Sequence, residues 1–141
     1  MYVDAQCLLE DGADMSQVAG SYYSEFAYNL GSTKDPGGGR PLYLVICVDE
    51  AFASAASTAK VVFALVDEAD ATIDTDSVEI IQTDPLLVTR LTLGKVIVLP
   101  IPAGLITQQY LGLRTTISVQ TTSAGKITAF IAVDPFTNPG A

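Results

Sequence analysis

The residues best placed to do chemistry are acidic. Asp67, Glu68, Asp70, Asp74 and Asp76, followed by Glu79 and Asp84, stand in a stretch from Val61 to Thr89 that holds no Lys or Arg. Carboxylates at this density suit a hard cation such as calcium, which prefers oxygen ligands. Asp67, Asp70, Asp74 and Asp76 are the weak candidate ligands. The segment lacks the spacing and central glycine of an EF-hand loop, and a solvated acidic loop between two strands is the competing reading. A pair of carboxylates also serves glycoside hydrolysis when the two flank a sugar cleft, but no motif here marks such a cleft.

The chain has no histidine. That removes a Ser-His-Asp triad, a Cys-His pair and any histidine-ligated metal. Its two cysteines, Cys7 and Cys47, are too few for structural zinc and form no CxxC pair. They read as two buried free thiols rather than a disulfide. Cys47 lies in an apolar run without a nearby cation to lower its pKa, so a reactive thiol is not expected. Gly37-Gly38-Gly39 precedes a strand and lacks the Lys-Ser/Thr of a phosphate loop. The tyrosines Tyr22, Tyr23, Tyr28, Tyr43 and Tyr110 would stack bases only beside a basic groove. The one charge around Tyr22 to Tyr28 is Glu25, so core and subunit packing is the better reading. The expectation is a non-enzymatic protein with no cofactor and no resident metal.

Composition sets the frame in which these residues must sit. With 141 residues, 49% of them apolar, the chain suits a single domain with a real core. Sixteen acids against seven bases give a net charge of −9, which disfavours phosphate backbones and anionic membranes as partners. Met1 to Leu9 has neither a basic n-region nor an apolar h-region. The longest apolar stretch, Val96 to Ile106, is broken by Pro100, Pro102 and Gly104 and is too short to span a bilayer.

The hydrophobic period is that of strands. Eight are expected: Tyr22 to Leu30, Leu42 to Val48, Val61 to Val66, Val78 to Gln82, Leu87 to Leu93, Lys95 to Leu99, Leu111 to Val119, and Lys126 to Val133. In the seventh, Leu111, Leu113, Thr115, Ile117 and Val119 share one face, and Tyr110, Gly112, Arg114, Thr116 and Ser118 the other. Leu42 to Val48 and Val61 to Val66 are apolar on both faces, as in central strands covered on both sides or meeting a partner. Residues 35–41 form a Gly/Pro loop, Ala51 to Ala59 a loop or short helical turn, and Ser123-Ala124-Gly125 a hairpin link. Residues 1–20 read as an N-terminal arm and 134–141 as a C-terminal tail on one domain spanning 1–141. Short strands with Gly/Pro turns and little helix imply an all-β, two-sheet, jelly-roll-like β-sandwich of about eight antiparallel strands.

Three stretches carry a resemblance. Val98-Leu99-Pro100-Ile101-Pro102, Gln109-Tyr110-Leu111-Gly112-Leu113-Arg114, and Gly125-Lys126-Ile127-Thr128-Ala129 with Ile131-Ala132-Val133-Asp134 resemble the C-terminal half of tailed-phage capsid cementing proteins of the Bordetella-podophage type. Arg40-Pro41-Leu42-Tyr43-Leu44-Val45-Ile46, Asp49-Glu50-Ala51-Phe52 and Val61-Val62-Phe63-Ala64-Leu65 fit the same family. The resemblance implies a jelly-roll decoration protein on the outside of a phage head, assembled in the host cytoplasm, bound to the major capsid protein and associated as dimers or trimers. Apolar anchors for such contacts are expected at Tyr2, Val3, Leu8, Leu9 and Phe52, with Arg40, Arg90 and Arg114 as ion-pair partners; ordinary core packing competes for each apolar one. The alternatives are a receptor- or carbohydrate-binding virion jelly roll and a carboxylate-pair enzyme. Missing tryptophan weighs against the former and missing histidine against the latter.

Overall fold

The computed structural model describes residues 8–29, 42–101 and 105–132, and no α-helix occurs among them. Ten strands do: β1 (Leu8–Asp14), β2 (Gly20–Tyr23), β3 (Tyr28–Asn29), β4 (Tyr43–Ser54), β5 (Lys60–Glu68), β6 (Val78–Gln82), β7 (Leu86–Leu87), β8 (Val96–Pro100), β9 (Tyr110–Ser118) and β10 (Thr122–Ala132).

They form two antiparallel sheets. The first has the order β1-β10-β4-β8; the second has the order β2-β9-β5-β6, with β3 added to β9 and β7 to β5. Setting aside the two-residue strands β3 and β7, the remaining eight run first-eighth-third-sixth in one sheet and second-seventh-fourth-fifth in the other. That winding is a jelly roll, in which successive strands alternate between sheets except for one hairpin, β5–β6. The expected sandwich is therefore the observed fold.

The core is the set of inward residues of both sheets. Leu44, Ile46, Val48 and Phe52 of β4, and Ile127, Ala129 and Ile131 of β10, face Val61, Phe63 and Leu65 of β5 and Leu111, Leu113 and Ile117 of β9. Side chains two apart share a face of a strand, so β9 divides as its alternation predicts as far as Ser118; Val119, expected on the inward face, lies past the strand's end at φ +73° and is exposed. Phe52 and Phe63 meet edge-on across the sheets, with ring centroids 6.5 Å apart at 89°.

Several sequence expectations change. The arm at residues 1–20 contains a strand, because Leu8–Asp14 pairs with β10. Two register shifts, with Gly12 at φ +60°, break its alternation, which is why no period of two shows there. The single strand from Tyr22 to Leu30 is two short ones, with Ser24 Oγ donating to the Phe26 carbonyl (2.8 Å) at the bend between them. Leu87 to Leu93 is no strand beyond Leu87. A 3₁₀ turn at Val88–Arg90 buries Val88 and Leu91, three apart, and leaves Leu87 and Leu93 exposed. Residues i and i+3 eclipse in such a turn, so Val88 and Leu91 point the same way, where a strand would send them to opposite faces. β4 continues through Ala51 to Ser54, so only the turn after it is loop. Ser123-Ala124-Gly125 lies inside β10, and the link to β9 is residues 119–121. The Gly37–Gly39 loop, Cys7, Val133 and the tail at 134–141 lie outside the described residues.

Candidate functional site

The acidic stretch becomes a loop with a hydrophobic anchor. Residues 69–77 connect β5 to β6 and fold back over the outer face of the second sheet. There Ile73 packs with Ala64 and Val66, against which Tyr23 and Ala27 lie. Gly112 is the position that admits it, since a Cβ there would stand 2.5 Å from Ile73 Cγ1. β5 is thus apolar on both faces because its outside is covered by its own chain.

The carboxylates of this loop turn to their own backbone. Asp70 Oδ1 accepts the Thr72 N–H at 2.8 Å and Asp74 Oδ1 accepts the Asp76 N–H at 2.9 Å, two local Asx turns. Among the described residues no three acidic or thiol groups converge as metal ligands. Asp67 and Glu68 are consecutive on β5, opposite Leu111 and Tyr110, and so point to opposite faces of the sheet. Asp67 is buried, and its Oδ2 accepts the Thr107 N–H at 3.0 Å, pinning the β8–β9 connection to the end of β5. Among the described residues its Oδ1 and Glu68 Oε2 are buried without a hydrogen-bond partner. Burial, with Asp74, Asp70 and Asp76 beside it, pushes the Glu68 carboxyl above the usual range, against the lowering effect of the Ala69 N–H. A second buried acid, Glu10, is also raised by burial, although its Oε1 accepts the Glu25 N–H at 2.7 Å.

Of the expected contact residues, Leu9 and Phe52 are core. They are 0% and 5% exposed, so neither is a surface anchor on the folded chain. The bulges of β1 and the extension of β4 turn them inward. Leu8 is half-buried and borders an open hollow of about 610 Å³ shared with Glu25, Phe26, Ala27, Tyr28, Asn29 and Ala71. Arg114 is half-buried and ion-paired to Glu79 on the outer face of the second sheet. Arg90 is exposed in the 3₁₀ turn. Tyr2, Val3 and Arg40 lie outside the described residues. Cys47 is a free, half-buried thiol whose pKa is raised by burial and by Asp49, which keeps it protonated and unreactive.

The surface feature that periodicity missed is the difference between the two ends of the sandwich. At one end meet the β1–β2, β4–β5 and β9–β10 connections, knitted by hydrogen bonds, and the β6–β8 connection joins them, the Val88 N–H donating to the Ala59 carbonyl (3.1 Å). Thr122 N–H donates to the Gln17 carbonyl (3.0 Å), and Gln120 Oε1 accepts from the Ala56 N–H (3.2 Å) and Thr58 Oγ1 (3.1 Å). Thr122 Oγ1 donates to the Met15 carbonyl and accepts the Gln17 N–H at 2.9 Å. Their tips expose Val18, Ala55, Ala56 and Val119, with Leu87 alongside. Residues 15–20, 55–59 and 119–121 contain no Asp or Glu, although the exposed Asp14 turns its Oδ1 to the Ser16 N–H (2.9 Å) and exposed Asp84 lies on the β6–β8 connection. At the other end Asp67, Glu68, Asp70, Asp74 and Asp76 gather where β5 finishes. Exposure at loop tips follows no strand period, so only the pairing scheme reveals that these distant segments meet.

The fold is a jelly-roll β-sandwich with an interior filled by apolar side chains. Residues 13–131 match the family model described as Bbp16, and the chain belongs to that family, a Bordetella phage protein family. Membership points to a phage structural protein and a component of the virion. No curated protein matches the chain. Among the described residues no helix is long and apolar enough to cross a membrane.

Proposed function

We propose that this protein is a non-enzymatic decoration, or cementing, protein that binds the outside of a phage head and stabilises the lattice of the major capsid protein. The observation that carries the reading is the division of apolar side chains. The space between the sheets is filled by Leu, Ile, Val and Phe, while large exposed apolar residues such as Val18 and Val119 stand on loops facing outward. A filled interior leaves the surface to do the work, and exposed apolar tips favour protein contacts. Family membership supports a virion role. Cementing follows physically from repetition, because many weakly held copies linked through one shell raise avidity and add their binding free energy to the assembled state.

The test uses heads of the encoding phage prepared without the protein. Adding the purified chain is expected to give saturable co-sedimentation with the heads and a higher temperature of head disruption. Failure to sediment with the heads, or binding without any gain in head stability, refutes the cementing role.

A further inference from the structure

The two sheets end in four edges, and three of them are guarded. β1 carries two register shifts, and its Leu9 carbonyl and Glu10 carboxylate take the Phe26 and Glu25 N–H groups across the seam (3.2 and 2.7 Å). β2 and β3, which share an edge, are four and two residues long. β6 lies beside a shift in its ladder with β5 and carries Glu79, with Asp76 and Asp84 close in sequence on either side. Bulges, shortness and charge are the usual guards of an open edge. Along Val96–Leu99, β8 has none of them: it pairs with β4 in unbroken register and carries no charge.

The register says which backbone groups of β8 are free. The Lys95 carbonyl accepts the Val48 N–H (2.9 Å) and the Ile101 N–H donates to the Leu42 carbonyl (2.9 Å), so the odd-numbered residues turn their N–H and C=O to β4. Those of Val96 and Val98 point away from the sheet, and among the described residues nothing pairs with them. The core is open at the same place. Ile97 and Leu99 pack on it yet are only half-buried, Val96 is 44% exposed, and Leu93, in the turn that leads into β8, is 71% exposed. Free donors and acceptors beside uncovered apolar side chains are the complement of another extended strand.

The length of the free run names that strand. Pro100 has no N–H to offer, and Gly94, at φ +84°, turns the chain away at the other end. The free groups therefore lie symmetrically about Ile97. A second copy laid antiparallel about a two-fold axis through Ile97 sets Val96 against Val98 of the other chain, twice over, and every free N–H and C=O of both residues is then taken. Ile97 meets its own counterpart at a non-hydrogen-bonded pair, where side chains come closest. A longer foreign strand would find no donor at Pro100 and no strand before Val96. The net charge of −9 opposes self-pairing only at long range. Pro85 to Val133 holds no Asp or Glu, and Asp49 and Glu50 of β4 lie one strand back from the edge, beyond the paired stretch.

We infer that β8 is a self-pairing edge, through which two copies of this chain join β8 to β8 about a two-fold axis at Ile97 and fuse their four-stranded sheets into one of eight. Such pairing is independent of capsid binding and is tested without heads.

The experiment is sedimentation equilibrium on the purified chain and on Val98→Pro. Proline there removes only an N–H that β4 does not use, a place where edge strands tolerate it. The wild-type chain is expected to be a dimer, tighter as salt rises, because screening weakens the repulsion between two acidic bodies. Val98→Pro is expected to dissociate at least about tenfold more readily, from the paired donors it loses, while keeping the circular dichroism of a folded chain. A second measurement stands whether or not that variant folds. Ile97→Cys, in a Cys7→Ser, Cys47→Ser background, is expected to form an intermolecular disulfide on mild oxidation, since the axis brings the two Cα atoms within disulfide reach. Val78→Cys on β6 in the same background is expected to stay reduced. A wild-type chain that is monomeric at every concentration up to about 100 μM, or that is a trimer, overturns the pairing. So does a folded Val98→Pro as dimeric as wild type, an Ile97→Cys chain that does not cross-link, or cross-linking at Val78→Cys in its place.

Discussion

Replacing Phe52 with alanine removes a ring from the centre of the sandwich, and the structure sets the scale of the damage. Phe52 is 5% exposed and packs edge-on against Phe63. Its ring also fills the space above Gly125, where an added Cβ would come within 2.8 Å. Such a ring leaves a cavity that neighbours held in two long ladders cannot collapse into. A buried Phe→Ala change costs about 3–5 kcal/mol. For a domain of this size that corresponds to a melting temperature lower by roughly 10–15 °C. In urea, at a slope of about 2 kcal/mol per molar, the midpoint falls by about 2 M with the slope unchanged. Equilibrium denaturation of the isolated protein measures this without any head present. Phe52→Leu, which keeps most of the volume, is expected to lose less than half as much. A loss below about 1 kcal/mol for Phe52→Ala would show that the ring does not sit between the sheets, and would return it to the list of surface anchors.

Gly112→Ala forces a methyl into Ile73 and is expected to cost about 1–3 kcal/mol by overpacking; Ile73→Ala added to it should restore part of the loss in the same denaturation assay. Thr122→Val strands the Met15 carbonyl and the Gln17 N–H and is expected to cost about 1–3 kcal/mol, with faster amide exchange at Gln17 as its local signature. Glu10 and Glu68 both have raised folded-state pKa values, so the folded chain holds more protons than the unfolded one just above the ordinary carboxylate pKa. Stability is then expected to rise as pH falls from neutrality towards about 4.5 and to be lost as pH rises through the folded-state values. A midpoint series in buffers of constant ionic strength checks this, and Glu10→Gln, which keeps the acceptor for the Glu25 N–H, should flatten the curve.

Most of the regular elements were legible where alternation was unbroken. β6 matched its expected bounds, and β9 shifted by one residue while keeping the two faces assigned to it except at Val119, which falls past the strand's end and turns outward. β5 read as covered on both sides, although its cover, Ile73, lay hidden inside the acidic run. Legibility failed where two periods mix. β1 carries two bulges and a buried Glu10, so its sequence looks like a polar arm. Leu87 to Leu93 alternates on paper, but three residues of 3₁₀ turn rotate Val88 and Leu91 inward instead. The candidate site was the least legible part. Val18, Ala56 and Val119 are far apart in sequence and become neighbours only through the winding of the strands, and the strain at Val119 is a property of backbone angle that residue type does not reveal.

The pairing of β1 with β10 also bears on how the sheet is assembled. Leu8 lies opposite Phe130, so the edge of β1 is paired and Leu9 covered only once a segment far along the chain is in place. Contacts that span so much sequence make for slow folding, and an unpaired strand edge invites association with neighbours in the interval.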